Sequence, residues 1–123
     1  VVGLGTNDFS TPLNAGEKWK TRDELRADYV ATYTSFIKQL HDKQPQAYLL
    51  LMASNAFEGE IAQQVEKVIT QTKATGITRI SSFIFSNLDQ AGCHWHPSAK
   101  DDRMLKQQLL DLFAAQPEIF PLK

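Results

Sequence analysis

The chain has 123 residues, 42% of them hydrophobic, which suits one globular domain and excludes a disordered tail. Thirteen basic and fourteen acidic side chains leave a net charge of -1, so there is neither the basic footprint of a nucleic-acid binder nor a polybasic membrane signal. The longest apolar stretch, Ala47 to Ala53, is far too short to span a bilayer, and a single cysteine, Cys93, excludes an internal disulfide.

Val1 to Leu4 reads as the end of a buried strand, and Asn7 to Gly16, rich in Asn, Ser, Thr, Pro and Gly, as a loop. Thr21-Arg22-Asp23-Glu24 has capping-box spacing: Thr21 caps the helix and Glu24 reaches back. Leu25, Tyr29, Val30, Tyr33, Phe36, Ile37 and Leu40 then recur every three or four residues, which predicts a long amphipathic helix ending before Pro45. Tyr48 to Ala53 is a continuous apolar run, as expected of a strand covered on both faces.

A second helix is expected over about Glu58 to Lys73, with Ile61, Val65, Val68 and Ile69 inward and Gly76 as its stop. Ile77 to Phe85 predicts a third strand, and Ser86 to Pro97 a loop. Ser98 caps a last helix to about Ala115, with Leu105, Leu109, Leu112 and Phe113 facing in. Strands alternating with helices predict an α/β layered fold with a parallel sheet. Three strands are few for such a sheet, and the chain opens within one. More strands are therefore expected upstream of Val1.

Ligands of an open parallel sheet bind beyond the carboxyl ends of its strands, where both Gly5-Thr6-Asn7-Asp8 and Gly92-Cys93-His94-Trp95-His96-Pro97-Ser98 fall. The Asn7 amide could donate to an oxygen becoming negative, or simply form an Asx turn. His96 precedes a proline and a helix N-terminus, whose dipole disfavours imidazolium and keeps a base available near neutral pH. Otherwise it is an ordinary loop histidine. Cys93, His94 and His96 are close enough for a metal site, but no second ligand pair matches them. Trp95 and Trp19 could each line a sugar site or pack in a core. Ser10 reads as a loop hydroxyl, because no Gly-x-Ser-x-Gly elbow occurs anywhere in the chain.

GTNDFSTPLN at Gly5 to Asn14 and GCHWHPS at Gly92 to Ser98 together resemble the third and last conserved blocks of the SGNH (GDSL-type) hydrolases, specifically carbohydrate esterase family 2, the acetyl-xylan-esterase-like enzymes. The resemblance extends through Trp19, Phe36-Ile37 and the YLLLMAS strand, and covers the later portion of that catalytic domain. It implies a three-layer α/β sandwich, here incomplete at its N-terminal side, with residues 1–123 forming the C-terminal part of one catalytic domain.

The resemblance further implies that Asn7 is the oxyanion-hole amide and His96 the general base, while the nucleophilic serine and oxyanion glycine precede Val1. Trp95, Gly5 and Asp8 would face the substrate. Many family members carry an aspartate shortly before the histidine; here Cys93 and His94 precede it. The backbone carbonyl of His94, or of its neighbour, is expected to orient His96 instead, with Asp89 the alternative acidic partner. The implied activity is removal of acetyl groups from a plant-type polysaccharide or oligosaccharide through an acyl-enzyme, without metal or cofactor. The implied partners are acetylated carbohydrate and the N-terminal part of the same domain, and the implied location is extracellular. The alternatives are a carbohydrate-binding remnant that has lost catalysis and a Cys/His metal-binding domain.

Overall fold

The computed structural model describes residues 1–120, which divide into two compact units, the first Val1–Ile84 and the second from Phe85 onward. In chain order the elements are α1 (Thr6–Phe9), α2 (Arg22–Lys43), β1 (Leu49–Ser54), α3 (Glu60–Ala74), β2 (Ile80–Phe85) and α4 (Ala99–Ala115). The strands are parallel and the fold is α/β.

β1 lies in the middle of the first unit's sheet. On one edge Leu50 O accepts from Val2 N (2.8 Å) and Met52 N donates to Val2 O (2.7 Å). On the other, Leu49 N donates to Arg79 O (2.9 Å), just ahead of β2. Backbone groups alternate in direction along a strand, so even-numbered and odd-numbered residues of β1 serve opposite neighbours. The expected strand at Val1 to Leu4 is thus present as a single parallel bridge, Val2 to Leu51.

Leu49, Leu51 and Ala53 share one core with Leu25, Tyr29, Tyr33 and Ile37 of α2 and Ile61, Val65, Val68 and Ile69 of α3. Leu50, one residue out of phase, is buried too, so β1 is covered on both faces. The inward residues expected on α3 are all buried, whereas Phe36 of α2 stays exposed.

Local chemistry sets the helix ends. Thr21 Oγ1 caps α2 by accepting from Glu24 N (3.2 Å), but the Glu24 carboxylate takes the amide of Lys20 (2.6 Å), not of Thr21, so the expected box is displaced by one residue. Gly76 follows α3 in the left-handed region (φ 94°), as its stop role requires. Before α3, Phe57, Glu58 and Gly59 all take positive φ, and α3 starts at Glu60 rather than Glu58. In the second unit Ser98 and Asp101 form a complete capping box on α4. Leu105, Leu109, Leu112 and Phe113 are only half-buried.

Two buried phenols of α2 support the first segment: Tyr29 Oη donates to Leu4 O (2.9 Å) and Tyr33 Oη to Val2 O (3.4 Å). Burial pushes Tyr33 up to about 12 and Tyr29 higher still. A phenol whose folded pKa exceeds its unfolded value near ~10 stabilises the fold fully below that pH and loses this contribution as pH rises through the folded value. Melting temperature should therefore hold to about pH 10 and fall between about pH 10 and 12. Tyr33→Phe should flatten that fall, as thermal melts across the range would show.

Candidate active site

Asn7 lies in the first turn of α1, a single helical turn and not the open loop expected from its composition. Phe9 N donates to Gly5 O (3.1 Å) and Ser10 N to Thr6 O (2.9 Å), closing the turn. Asn7 and Asp8 are both exposed, with the Asn7 amide free to meet a ligand. Gly5 departs from the sequence reading. It is buried, at φ 114°, and an added Cβ would lie 2.8 Å from Tyr29 Oη and 3.1 Å from Ile61 Cγ2. Its role is to let the backbone pass close to Tyr29 and turn into α1, so it offers no surface to a substrate.

The far end of α1 is held by charge. Arg22 Nη2 donates to Phe9 O (2.8 Å) and Nη1 to Thr11 O (2.8 Å), while its Nε and Nη2 pair with Glu60 (3.0 and 2.7 Å). Arg26 Nε also reaches Glu60 (2.7 Å). Hydrogen bonding from Arg22, then from Arg26, holds the Glu60 carboxylate below its usual range against the opposing cost of desolvation. Phe9 packs edge-on to Tyr29 (4.9 Å) beneath the Arg22 guanidinium (5.1 Å). Nothing in the sequence marks this cluster, because Arg22 and Glu60 lie 38 positions apart.

Beside α1 is an open groove of about 860 Å³, lined by Leu4, Asp8, Trp19, Tyr29 and Phe36 among others. Trp19 sits on its wall, its Nε1 donating to Asp28 (3.0 Å) and its ring under Lys18 Nζ (4.7 Å). Lys18, then Trp19, hold the Asp28 carboxylate below its ordinary value.

His96 follows a tight turn formed by Cys93–Trp95 in the second unit. His96 N donates to Cys93 O (3.2 Å), Gly92 N donates to His96 O (3.0 Å), and His96 Nδ1 also meets Cys93 O (2.9 Å). The orienting carbonyl is therefore that of Cys93, the neighbour, and not that of His94. His94 and Trp95 adopt positive φ (54° and 62°), which carries the His94 carbonyl elsewhere in the turn. A carbonyl only accepts, so Nδ1 carries the proton and Nε2 of the neutral ring keeps its lone pair.

Asp89 is engaged elsewhere: it accepts from Ala91 N (3.1 Å), Ser98 Oγ (3.0 Å) and Lys100 Nζ (3.4 Å). Trp95 is 83% exposed, not packed in a core. Cys93, His94 and His96 are all exposed, and among the described residues no three His, Cys, Asp or Glu side chains gather as a metal site requires.

The first unit thus carries an exposed amide on α1, and the second an exposed imidazole whose Nδ1 faces the Cys93 carbonyl. Comparison with known proteins gives the following likenesses. No family model matches the chain. It is 54% identical over 110 residues to an acetylxylan esterase / glucomannan deacetylase of Cellvibrio japonicus (strain Ueda107), covering 89% of this chain and 31% of that protein. A solved carbohydrate esterase, described as having divergent catalytic and non-catalytic binding functions at its active site, superposes with a TM-score of 0.91 at 50% identity over 95% of this chain and 36% of its own.

An active-site mutant of a family two carbohydrate esterase from Clostridium thermocellum, solved with cellohexaose, superposes at 0.72 with 20% identity, a likeness of fold, over 93% of this chain and 34% of its own. The chain is thus similar to carbohydrate esterases and spans about a third of the length of these relatives.

Two glycine substitutions test the local geometry. Gly5→Ala should cost about 1–3 kcal/mol in urea unfolding, from strained φ and the collision with Tyr29. At Gly92 a Cβ would lie 2.7 Å from both His96 O and Pro97 O. Gly92→Ala should therefore expose the His96 Nδ1 proton to rapid exchange in ¹⁵N-imidazole NMR, with far-UV circular dichroism unchanged.

Proposed function

We propose that this chain supplies the general base and an oxyanion-hole donor of a serine esterase of the SGNH type, acting on acetyl groups of a plant-type polysaccharide or oligosaccharide. The observation that carries the reading is the hydrogen bond from His96 Nδ1 to Cys93 O (2.9 Å), which presents Nε2 as a proton acceptor. Similarity to an acetylxylan esterase / glucomannan deacetylase and to a carbohydrate esterase supports the carbohydrate substrate and the deacetylation. The nucleophilic serine belongs to polypeptide outside these residues, and the enzyme acts outside the cell.

In the reaction, His96 Nε2 takes the serine proton as Oγ bonds to the acetyl carbon. The carbonyl oxygen becomes an oxyanion and accepts from the Asn7 amide, a preorganised donor worth on the order of 3 kcal/mol in the transition state. The tetrahedral adduct expels the sugar oxygen, which takes the proton back from His96. Water, deprotonated by the same nitrogen, then releases acetate from the acyl-enzyme. With a carbonyl instead of a carboxylate behind it, the imidazolium is less stabilised, and the base is a dyad member rather than part of a triad. Exposed Trp95 offers an aromatic face against which a sugar ring can pack. Asp8, next to Asn7 and bordering the groove, faces the same substrate.

The test is fluorophosphonate labelling and aryl-acetate hydrolysis by the longest polypeptide its gene encodes. His96→Ala should lower kcat by on the order of a thousandfold or more, and Asn7→Ala by at least about tenfold, with circular dichroism unchanged. A protein that binds polysaccharide but takes no label and cleaves no aryl acetate would instead be the binding remnant.

A further inference from the structure

We propose that Asp101 is the positioning residue of the loop that presents His96, a role beyond capping α4. Its carboxylate is 1% exposed and receives backbone amides from both sides of that loop. Asp89 N donates to Oδ1 (2.9 Å) and Gln90 N to Oδ2 (3.1 Å) on the entering side. Ser98 N donates to Oδ2 (2.7 Å) on the leaving side. One buried group thereby ties together the two ends of the segment containing Cys93, Trp95 and His96.

The loop needs such a tie. Between Asn87 and Trp95, four non-glycine residues hold positive φ: Asn87 (62°), Gln90 (50°), His94 (54°) and Trp95 (62°). Backbone in that region persists only where surrounding contacts over-determine it. Apolar packing does not supply those contacts, because no side chain from Ser86 to Lys100 is fully buried. The hydrogen bonds of Asp101 do, and they act on His96 through the backbone without touching the imidazole. These same bonds, led by that from Ser98, keep the carboxyl ionised to well below the usual carboxylate range. The tie is therefore intact at every pH where an imidazole base is neutral.

The positioning of the loop is tested on the 123-residue chain itself, and its consequence for catalysis rests on the esterase reading. Asp101→Asn keeps the shape of the side chain but replaces one acceptor oxygen with a donor. It should accelerate exchange of the Asp89 and Gln90 amides and of the His96 Nδ1 proton at least about tenfold, by hydrogen-exchange and ¹⁵N-imidazole NMR. Ala99→Gly weakens the start of α4 and leaves the carboxylate in place, so it should leave those three signals unmoved. If both variants move them equally, or neither does, the loop merely follows helix stability and the proposal is overturned.

Should Asp101→Asn fail to fold, native-state exchange of the parent chain decides. Asp89, Gln90 and Ser98 amides sharing one opening free energy support the tie, and three separate values refute it. In the encoded enzyme, Asp101→Asn should lower kcat on aryl acetates, which carry no sugar for Trp95 to hold, on the order of tenfold to a hundredfold with KM within about twofold, because a displaced base slows the chemistry. A parent enzyme inactive on aryl acetates would overturn the esterase reading and leave the exchange results standing.

Discussion

The central position of β1 is the constraint on which the first unit depends. Its neighbours use different sets of backbone groups, Leu50 and Met52 toward Val2 and Leu49 toward Arg79, so its register sets the placement of both. Once Val2 is paired, Tyr29 and Tyr33 reach the carbonyls of the same short segment, and the chain emerges at Gly5 with one direction open to it. α1 starts there, and with it Asn7. The amide on the surface is thus placed by a chain of dependencies that begins with parallel pairing in the core.

The segments that carry Asn7 and His96 share a design. Each is short or irregular and places an exposed candidate side chain at the surface. Beyond the packing of Phe9 on Tyr29, each is anchored through its own carbonyls or amides by a charged group: Arg22 with Glu60 for α1, Asp101 for the turn before α4. A charged group with several backbone partners gives direction as well as attachment, which packing alone does not.

Legibility in the sequence followed interaction range. α2, α3 and β1 were readable because their apolar periods are long, and Thr21, Gly76 and Ser98 mark ends through chemistry within three or four residues. The Val1 to Leu4 strand shrank to one bridge because apolar content does not reveal how many partners a strand has. Gly5 looked like part of a substrate site because the motif surrounds it, but its neighbours Tyr29 and Ile61 come from other elements. The Glu24 offset and the His94-to-Cys93 exchange are one-residue matters of backbone direction, decided by φ and ψ that no residue type dictates. Ser98 was readable as a cap, but the bonds of Asp101 to Asp89 and Gln90 span 12 and 11 positions and leave no pattern.

The identity of the group behind His96 has a consequence for how this segment can vary. A carboxylate partner belongs to a side chain and disappears when its codon changes. The Cys93 carbonyl belongs to the main chain, and replacement of the exposed thiol by another side chain does not delete it. Inheritance of the acceptor is thereby moved from the residue that makes the bond to the one that shapes the turn. Gly92, with no room for a single added carbon, is the position where drift is barred, while position 93 itself is free to wander.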